Sequence, residues 1–502
     1  MRYNIHKISW TDVLSYSLAS ICIYCAIRAI YNLYYHPLSH FPGPSAFGTT
    51  RLPYVYHQVT GNLAATFHNL HEKYGPIVRT APNELSFNQP DALNKIYNEQ
   101  HSGCPVFPKN YDSFNETRNQ ISKSVFIAGD ADHARMRKVI NQAFSEQALR
   151  DQEPRIQDHV QSLMQQVDAE ARKNAGVVDL NAWYNFAAFD MIADAALGEP
   201  FNTLKRLTYR PWINMIGKTW KAISLASAVK SMAPPVYLLR RLIPTGIFLQ
   251  KEVNKFDLVL NRVKEKIAMG TGRIDLLSRV LACNDRKERM TEDEIVSNAT
   301  LFVAAGTETV TTLLSALTYL ITKDSRVMAK LATEIRSSFS DERSITIQNV
   351  SRLQYLTACI REALRRFPPI PEGLPRIVPP SGEWISGHWI PGGTFVQIST
   401  LATNLSISNF EAPEAFIPER WLDDKDNATC FRNDKKVASQ PFSIGPRNCV
   451  GQNIAMAEMR LVMARLLWSF DLQGVVQEDW MDQPTYLLWE KKPLPIRLTR
   501  CR

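Results

Sequence analysis

Of eight cysteines in the chain, one stands in a setting the others do not share. Phe442-Ser-Ile-Gly445-Pro-Arg447-Asn-Cys449-Val-Gly451 is a glycine-punctuated loop that presents Cys449 immediately before a helical pattern. Gly445 permits a tight turn and Gly451 a close approach by a flat ligand. The helix N-terminus beyond Cys449 favours an anionic sulfur, so the loop suits a thiolate serving as an axial metal ligand. A buried free cysteine would account for Cys449 alone and would leave Phe442, the two glycines and Arg447 without a reason. Glu308 and Thr309 place a carboxylate beside a hydroxyl within one helical pattern. One reading of Thr309 is local, because a helical threonine commonly returns its hydroxyl hydrogen to the carbonyl four residues back. His133 and Arg137 lie at i,i+4 spacing, on one helix face. Glu362 and Arg365, at i,i+3, describe on their own a surface pair worth about a few tenths of a kcal/mol.

These groups need elements to position them. Thr291-Glu-Asp-Glu294 is a capping box, and it opens a run to about Lys323 with apolar positions at Ile295, Leu301, Phe302, Leu313, Leu317 and Leu320 and no proline. The pattern predicts one helix of roughly 30 residues, about 45 Å long. Because it is apolar nearly all round, it must cross the middle of a domain. Helical patterns also fit about 133–148, 155–172, 181–197, 252–268, 325–340, 352–366 and 452–470. Seven prolines fall between 368 and 391, and residues 394–399 then have strand character. The expected architecture is mainly α with small β-sheets late in the chain and no internal repeat.

The cysteine loop matches Phe-x-x-Gly-x-Arg-x-Cys-x-Gly, the haem-binding signature of the cytochrome P450 family, at every fixed position. Ala305-Gly306-Thr307-Glu308-Thr309 resembles that family's oxygen-activation motif. Glu362-Ala-Leu-Arg365 resembles its Glu-x-x-Arg motif, and Pro418-Glu-Arg420-Trp421 its later Pro-Glu-Arg aromatic segment, so the resemblance spans nearly the whole chain. It implies the cytochrome P450 fold with a long central helix, and haem b (iron protoporphyrin IX) ligated by the Cys449 thiolate, with Phe442, Gly445 and Gly451 shaping the loop. A thiolate ligand favours O–O cleavage, so the implied reaction is monooxygenation, with Glu308 and Thr309 delivering protons and Gly306 leaving room for oxygen against the helix. Glu362, Arg365 and Arg420 become a buried ionic triad bracing the cysteine loop.

Arg447, Arg376, Arg137 and His133 are the implied partners of the haem propionates, a role that suits the guanidinium fork. Many family members carry Trp where this chain has His133, and a solvated residue at a helix start is the other reading of it. By family position the substrate pocket is walled by residues around 106–126, by Leu301, Phe302 and Ala305, by 370–374 including Leu374, and by Tyr486 and Leu487. These walls are mostly apolar and suit a bulky lipophilic substrate. Residues 31–44, 373–376 and 488–493 resemble filamentous-fungal members that tailor terpenoid, polyketide or alkaloid secondary metabolites. Two other classes compete: a haem-thiolate isomerase or dehydratase would not need Glu308 and Thr309, and a haem sensor or electron carrier would need neither a relay nor a large pocket.

Composition sets the bounds. A chain of 502 residues that is 45% hydrophobic and 21% charged can bury a large core, and no linker interrupts it after residue 50, so 51–502 reads as one catalytic domain. The cysteine spacings are irregular and describe no disulfide framework. The net charge of +9 is not gathered into a basic run, which argues against nucleic acid. No G-x-G-x-x-G is present, so electrons must come from another protein; the resemblance implies NADPH-cytochrome P450 reductase, with NADPH, FAD and FMN bound there. Arg135 and Lys138, with Arg432, Lys435 and Lys436, form a basic docking face for it or are scattered solvated charges.

Residues 13–27 carry no charge, and the apolar stretch continues past Arg28 to Tyr35. This predicts an N-terminal transmembrane anchor over 1–35, in contact with membrane lipid, followed by a Pro-rich hinge over 36–50. A cleavable signal peptide would have a shorter apolar region and a small-residue cleavage site. Cys22 and Cys25 inside the stretch act as small hydrophobes. Charge does not settle the orientation; the resemblance implies a single-pass protein of the endoplasmic reticulum with a cytosolic catalytic domain. The sequons at Asn115, Asn298, Asn349, Asn404 and Asn427 read as chance. Residues 236–249 either dip into the membrane or form an ordinary buried helix.

Overall fold

A computed structural model describes residues 9–98, 107–109, 124–198, 201–206, 210–231, 263–265, 275–284, 290–422, 430–475 and 479–501. The expected helix near 252–268, the segment 236–249, most of the 106–126 loop and the sequons at Asn115 and Asn427 lie largely or wholly outside them.

The capping box sets the start of the central helix, Glu292–Lys323. Thr291 Oγ1 accepts the Glu294 N–H at 3.2 Å, and Glu294 Oε2 accepts the Thr291 N–H at 2.9 Å. The helix is buried over most of its length and packs chiefly on a second apolar helix, Leu180–Leu197. That partner starts where Asp179 caps the Ala182 N–H and stops at Gly198, whose φ of 69° closes it in the left-handed region. Gly306 sits at the crossing: a Cβ there would lie 2.7 Å from Ile192 Cγ1. Helix packing is thus sufficient reason for a glycine that the sequence reading gave to oxygen. Helices Glu146–Lys173, Gln354–Arg366 and Gln452–Ser469 complete the main core.

Two helix boundaries differ from expectation. The helix bearing His133 runs Asp130–Ala143, and the next begins at Glu146, where Ser145 caps the Ala148 N–H. Pro154, which the sequence reading placed at a boundary, lies inside the second helix. An interior proline costs about 3 kcal/mol. Burying Leu149, Ile156, Val160, Leu163 and Val167 on one face, at ~1.5–3 kcal/mol each, outweighs that.

The sheets lie at the edges of the helical core. Ile77–Ala81 and Glu84–Phe87 pair antiparallel, Glu84–Phe87 runs parallel to Phe395–Ile398, and Arg376–Ile377 closes the sheet on the far side. Pro495–Arg500 is the middle strand of a second sheet, between Val177–Asp179 and Phe470–Gly474. Two short hairpins, Glu383–Ile385 with His388–Ile390 and Thr485–Tyr486 with Leu488–Trp489, complete the β structure.

At the N-terminus an exposed apolar helix, Trp10–Ile30, continues through a wider π-helical turn, Tyr31–Tyr35. The central helix is also long and apolar enough to span a membrane, but it is mostly buried in the protein. The segment read as a hinge is packed on the first strand: Leu38 and Phe41 are buried, the Arg79 N–H donates to Pro42 O at 2.8 Å, and a Cβ on Gly43 would meet Arg79 O at 2.6 Å. Asn298 and Asn404 are buried, which fits the reading of their sequons as chance.

Candidate active site

The cysteine loop closes on itself through the Cys449 N–H, which donates to Phe442 O at 2.8 Å. Ser443 and Gly445 both take positive φ, 57° and 75°. Only glycine fits at 445, because a Cβ would come within 2.1 Å of Tyr97 O. Gly451 is different: a Cβ there would touch nothing closer than 3.9 Å, so the bare backbone beside Cys449 answers no demand of the protein itself. Phe442, Cys449 and Gly451 all line a largely apolar internal cavity. Cys449 is exposed to that cavity. Burial pushes the Cys449 thiol up, while the Gly451 amide, Arg137 and the Gln452 amide pull it back. The amides at the helix start favour an anionic sulfur, but burial outweighs them.

The central helix contributes Leu301, Phe302, Ala305, Gly306 and Thr309 to the same cavity's lining. Thr309 Oγ1 donates to Ala305 O at 2.7 Å, the local bond that competed with a chemical role. Glu308 is buried but is not on the cavity wall. It pairs with Lys491 on the other side of the helix, and both side chains are almost wholly enclosed. Leu374 lines the cavity; Tyr486 and Leu487, expected there, do not. Tyr486 turns toward Gly61 and lies under Lys221 Nζ, 4.3 Å from its ring centroid.

One end of the cavity is cationic. Arg447 Nη2 donates to Ala128 O at 2.9 Å and to Asp130 Oδ1 at 2.7 Å, while its Nη1 is buried without a hydrogen-bond partner. His133 is buried on the wall, so the solvated reading of it does not hold. Burial, reinforced by Arg447, Lys109 and Arg137, drives its pKa down to about 4, so its ring is neutral near pH 7. Arg137 grips the cysteine loop, with Nη1 on Asn448 O at 2.6 Å and Nη2 on Asn448 Oδ1 at 2.8 Å. Arg376 is buried one layer behind the wall, its guanidinium 5.1 Å from the Tyr97 ring centroid. Lys109, bridged to Arg376, stands on the wall instead and donates to Phe126 O. Burial, with Arg376 and Arg447, holds its ammonium well below the usual lysine range. No motif marks Lys109 in the sequence. A thiol facing an apolar cavity, a cationic end and the unpartnered Arg447 Nη1 together fit a haem whose carboxylates lie at that end.

Residues 47–498 match the sequence pattern of the family described as Cytochrome P450. The chain belongs to the cytochrome P450 monooxygenase family. Cytochrome P450 monooxygenase atr2 of Stereocaulon alpinum is 41% identical over 479 residues, covering 95% of this chain and 93% of that protein. Cytochrome P450 monooxygenase lcsI of Purpureocillium lilacinum is 41% identical over 485 residues, with 96% and 93% covered. An averantin hydroxylase of Dothistroma septosporum is 36% identical over 489 residues, with 96% and 90% covered.

In this P450 the Glu362, Arg365 and Arg420 side chains meet out of reach of solvent. Arg365 grips Glu362 through two bonds, Nε to Oε2 at 2.9 Å and Nη2 to Oε1 at 2.7 Å, and Arg420 Nε reaches Oε1 at 3.0 Å. The Trp421 indole N–H and the Ile417 amide add two more donors to the same carboxylate. Burial pushes Glu362 up, but Arg365, Arg420 and the Ile417 amide overcome it and leave the carboxyl below its ordinary value. Arg420 pairs in addition with Asp434.

Of the cations expected to form a basic face, one is engaged inside the protein. Arg135 is held by Glu294, with Nη2 on Oε1 at 2.7 Å, and by Asp132, so its charge is answered within the protein. A polar groove beside the cysteine loop brings Arg150, Arg361, Lys436 and Arg460 together with Phe442 and Gln452, alongside Glu146, which pairs with Arg150, and Glu153. Of these cations only Lys436 was marked in the sequence; the rest come from three separate helices, and only the fold assembles them.

Proposed function

We propose that this P450 is a haem-thiolate monooxygenase that hydroxylates or otherwise oxidises a lipophilic fungal secondary metabolite, a terpenoid, polyketide or alkaloid, with electrons from NADPH-cytochrome P450 reductase. The observation that carries this reading is that Cys449 and Thr309 line one largely apolar cavity. The relative named for hydroxylating averantin supports hydroxylation as the reaction class.

Bound haem b supplies the activation of molecular oxygen at iron. Cys449 would hold it through its thiolate, and the Gly451 and Gln452 amides would temper the charge on sulfur. Arg447, Arg137, Lys109 and His133 would meet the haem propionates, with Arg376 behind them, and the Glu362–Arg365–Arg420 cluster would stiffen the chain that leads into the cysteine loop. Thr309 gives its only hydrogen to Ala305 O, which leaves its oxygen lone pairs to accept a hydrogen from a water in the cavity. Glu308, on the far side of the same helix, supplies protons from outside. The groove of Arg150, Arg361, Lys436 and Arg460 docks an acidic reductase surface. The helix Trp10–Tyr35 anchors the protein in the endoplasmic reticulum membrane with the catalytic domain cytosolic.

The test is reconstitution of the holoenzyme with reductase. Product should form only with oxygen, NADPH and reductase all present, and should carry label from isotopic dioxygen. Cys449→Ala should lose the thiolate-type carbon monoxide spectrum. Product made without oxygen would point to an isomerase or dehydratase instead.

A further inference from the structure

Glu372 is an acid on the wall of an apolar cavity, and nothing in the mechanism above uses it. It lies between the helix Gln354–Arg366 and the strand Arg376–Ile377, and its neighbours hold it in place. Thr400 Oγ1 donates to Glu372 O at 3.3 Å, and Gly373 packs so closely that a Cβ would fall 2.5 Å from both Gln397 Oε1 and Ile398 O. The carboxylate has only neutral partners: Oε1 accepts the Leu487 N–H at 3.4 Å, near the limit of hydrogen bonding, and the Thr485 hydroxyl is close by. Among the described residues no Lys, Arg or His forms an ion pair with it. The same cavity is lined by Leu301, Phe302, Ala305, Ile370 and Leu374.

A buried carboxyl so placed needs a hydrogen-bond donor from whatever fills the cavity. Burial raises it to about 7, so both protonation forms are present near neutrality and each can accept a hydrogen. A ligand that lacks a donor leaves this group desolvated and unmatched, which is how a polar site inside an apolar pocket discriminates between similar scaffolds. We infer that Glu372 is a specificity-determining residue that selects lipophilic substrates carrying a hydroxyl or protonated amine over the same scaffold without one. The inference rests on the haem-thiolate reading of the cavity. Glu372 also steadies the Leu487 turn, whose φ of 64° is left-handed, and the test must separate the two roles.

The experiment is spectral titration of the full-length holoenzyme with hydroxypyrene, aminomethylpyrene and methoxypyrene. The wild type should bind the hydroxy or the aminomethyl probe about tenfold or more tighter than the methoxy probe, as one well-made hydrogen bond to a carboxylate allows. The stronger of the two names the donor. Glu372→Leu should bind all three alike. Glu372→Gln keeps the size and an acceptor for the Leu487 amide and offers an N–H to the ether oxygen, so it should lose the preference while folding normally. A merely structural role would weaken the three probes together and leave their ratio intact. A wild type that shows no preference or binds none of the probes, or a Glu372→Gln variant that keeps the preference, overturns the inference. A normal thiolate-type carbon monoxide spectrum in those samples shows that the haem-thiolate reading stands regardless.

Discussion

Thr309 has one hydroxyl hydrogen, and Ala305 O takes it at 2.7 Å. The local and the chemical readings of this residue are therefore compatible, because a hydroxyl that donates into its helix still accepts from the cavity. Thr309→Ala should leave stability and haem content nearly unchanged, since alanine is the better helix former and the lost bond is local. Product per NADPH should fall, by up to ~10²–10⁴-fold if no replacement water takes over, with the reducing equivalents recovered as peroxide. Measuring product, peroxide and NADPH together decides it; unchanged coupling at full haem occupancy removes Thr309 from the mechanism. A second residue, Glu458, is fully buried, and its Oε1 has no hydrogen-bond partner. Burial raises its pKa to about 8. In the unfolded chain the same group loses its proton near its ordinary value, so its contribution to stability is lost as pH rises from about 4.5 to about 8, at about 1.4 kcal/mol per unit of pH as an upper bound. Glu458→Gln should raise the Tm at about pH 8 clearly more than at about pH 5. Equal shifts at the two pH values would mean that the carboxyl titrates normally.

The central helix carries different chemistry on its two faces: Thr309 toward the cavity, Glu308 toward Lys491. The Glu308–Lys491 pair is almost wholly enclosed, so removing one partner strands a charge, at a cost of about 3–5 kcal/mol. Lys491→Met should lower the Tm by several degrees, and adding Glu308→Gln should restore most of it. If Glu308 supplies protons, the stable double variant will still couple NADPH to product poorly, and thermal melts run beside coupling assays separate the two effects. This pair also shows where sequence reading stops. The helix start was legible because Thr291 and Glu294 are three residues apart, and the cysteine loop because its parts fit within ten. Lys491 is 183 positions from Glu308, and only the fold makes them neighbours. Lys109 lies inside the expected 106–126 wall, but its place among the cationic side chains was hidden for the same reason, since the bridge that sets it beside Arg376 spans most of the chain. Pro154 misled because a local rule was outweighed by burial along the whole helix, and Tyr486 because position in the chain does not say which way a side chain turns in a short hairpin.

At the scale of the molecule, the question is where the anchor ends and the domain begins. The apolar pattern runs to Tyr35, but the last turn already belongs to the domain. Asn32 is buried, its Nδ2 donates to Thr49 O at 2.9 Å, and Arg79 Nη1, itself buried, donates to Asn32 O at 2.9 Å. A protein lacking residues 1–30 should leave the membrane, keep its haem and melt as the full chain does. A protein lacking residues 1–35 should also leave the membrane but lose Arg79 its acceptor and Thr49 its donor. Each such loss costs about 1–3 kcal/mol when the group stays buried, so the longer deletion should melt several degrees lower. Vesicle sedimentation at high salt reports the first property and thermal unfolding of the holo forms the second. Equal melting of the two deletions would return the turn Tyr31–Tyr35 to the anchor. Membrane binding by both would place a second lipid-binding surface on the catalytic domain.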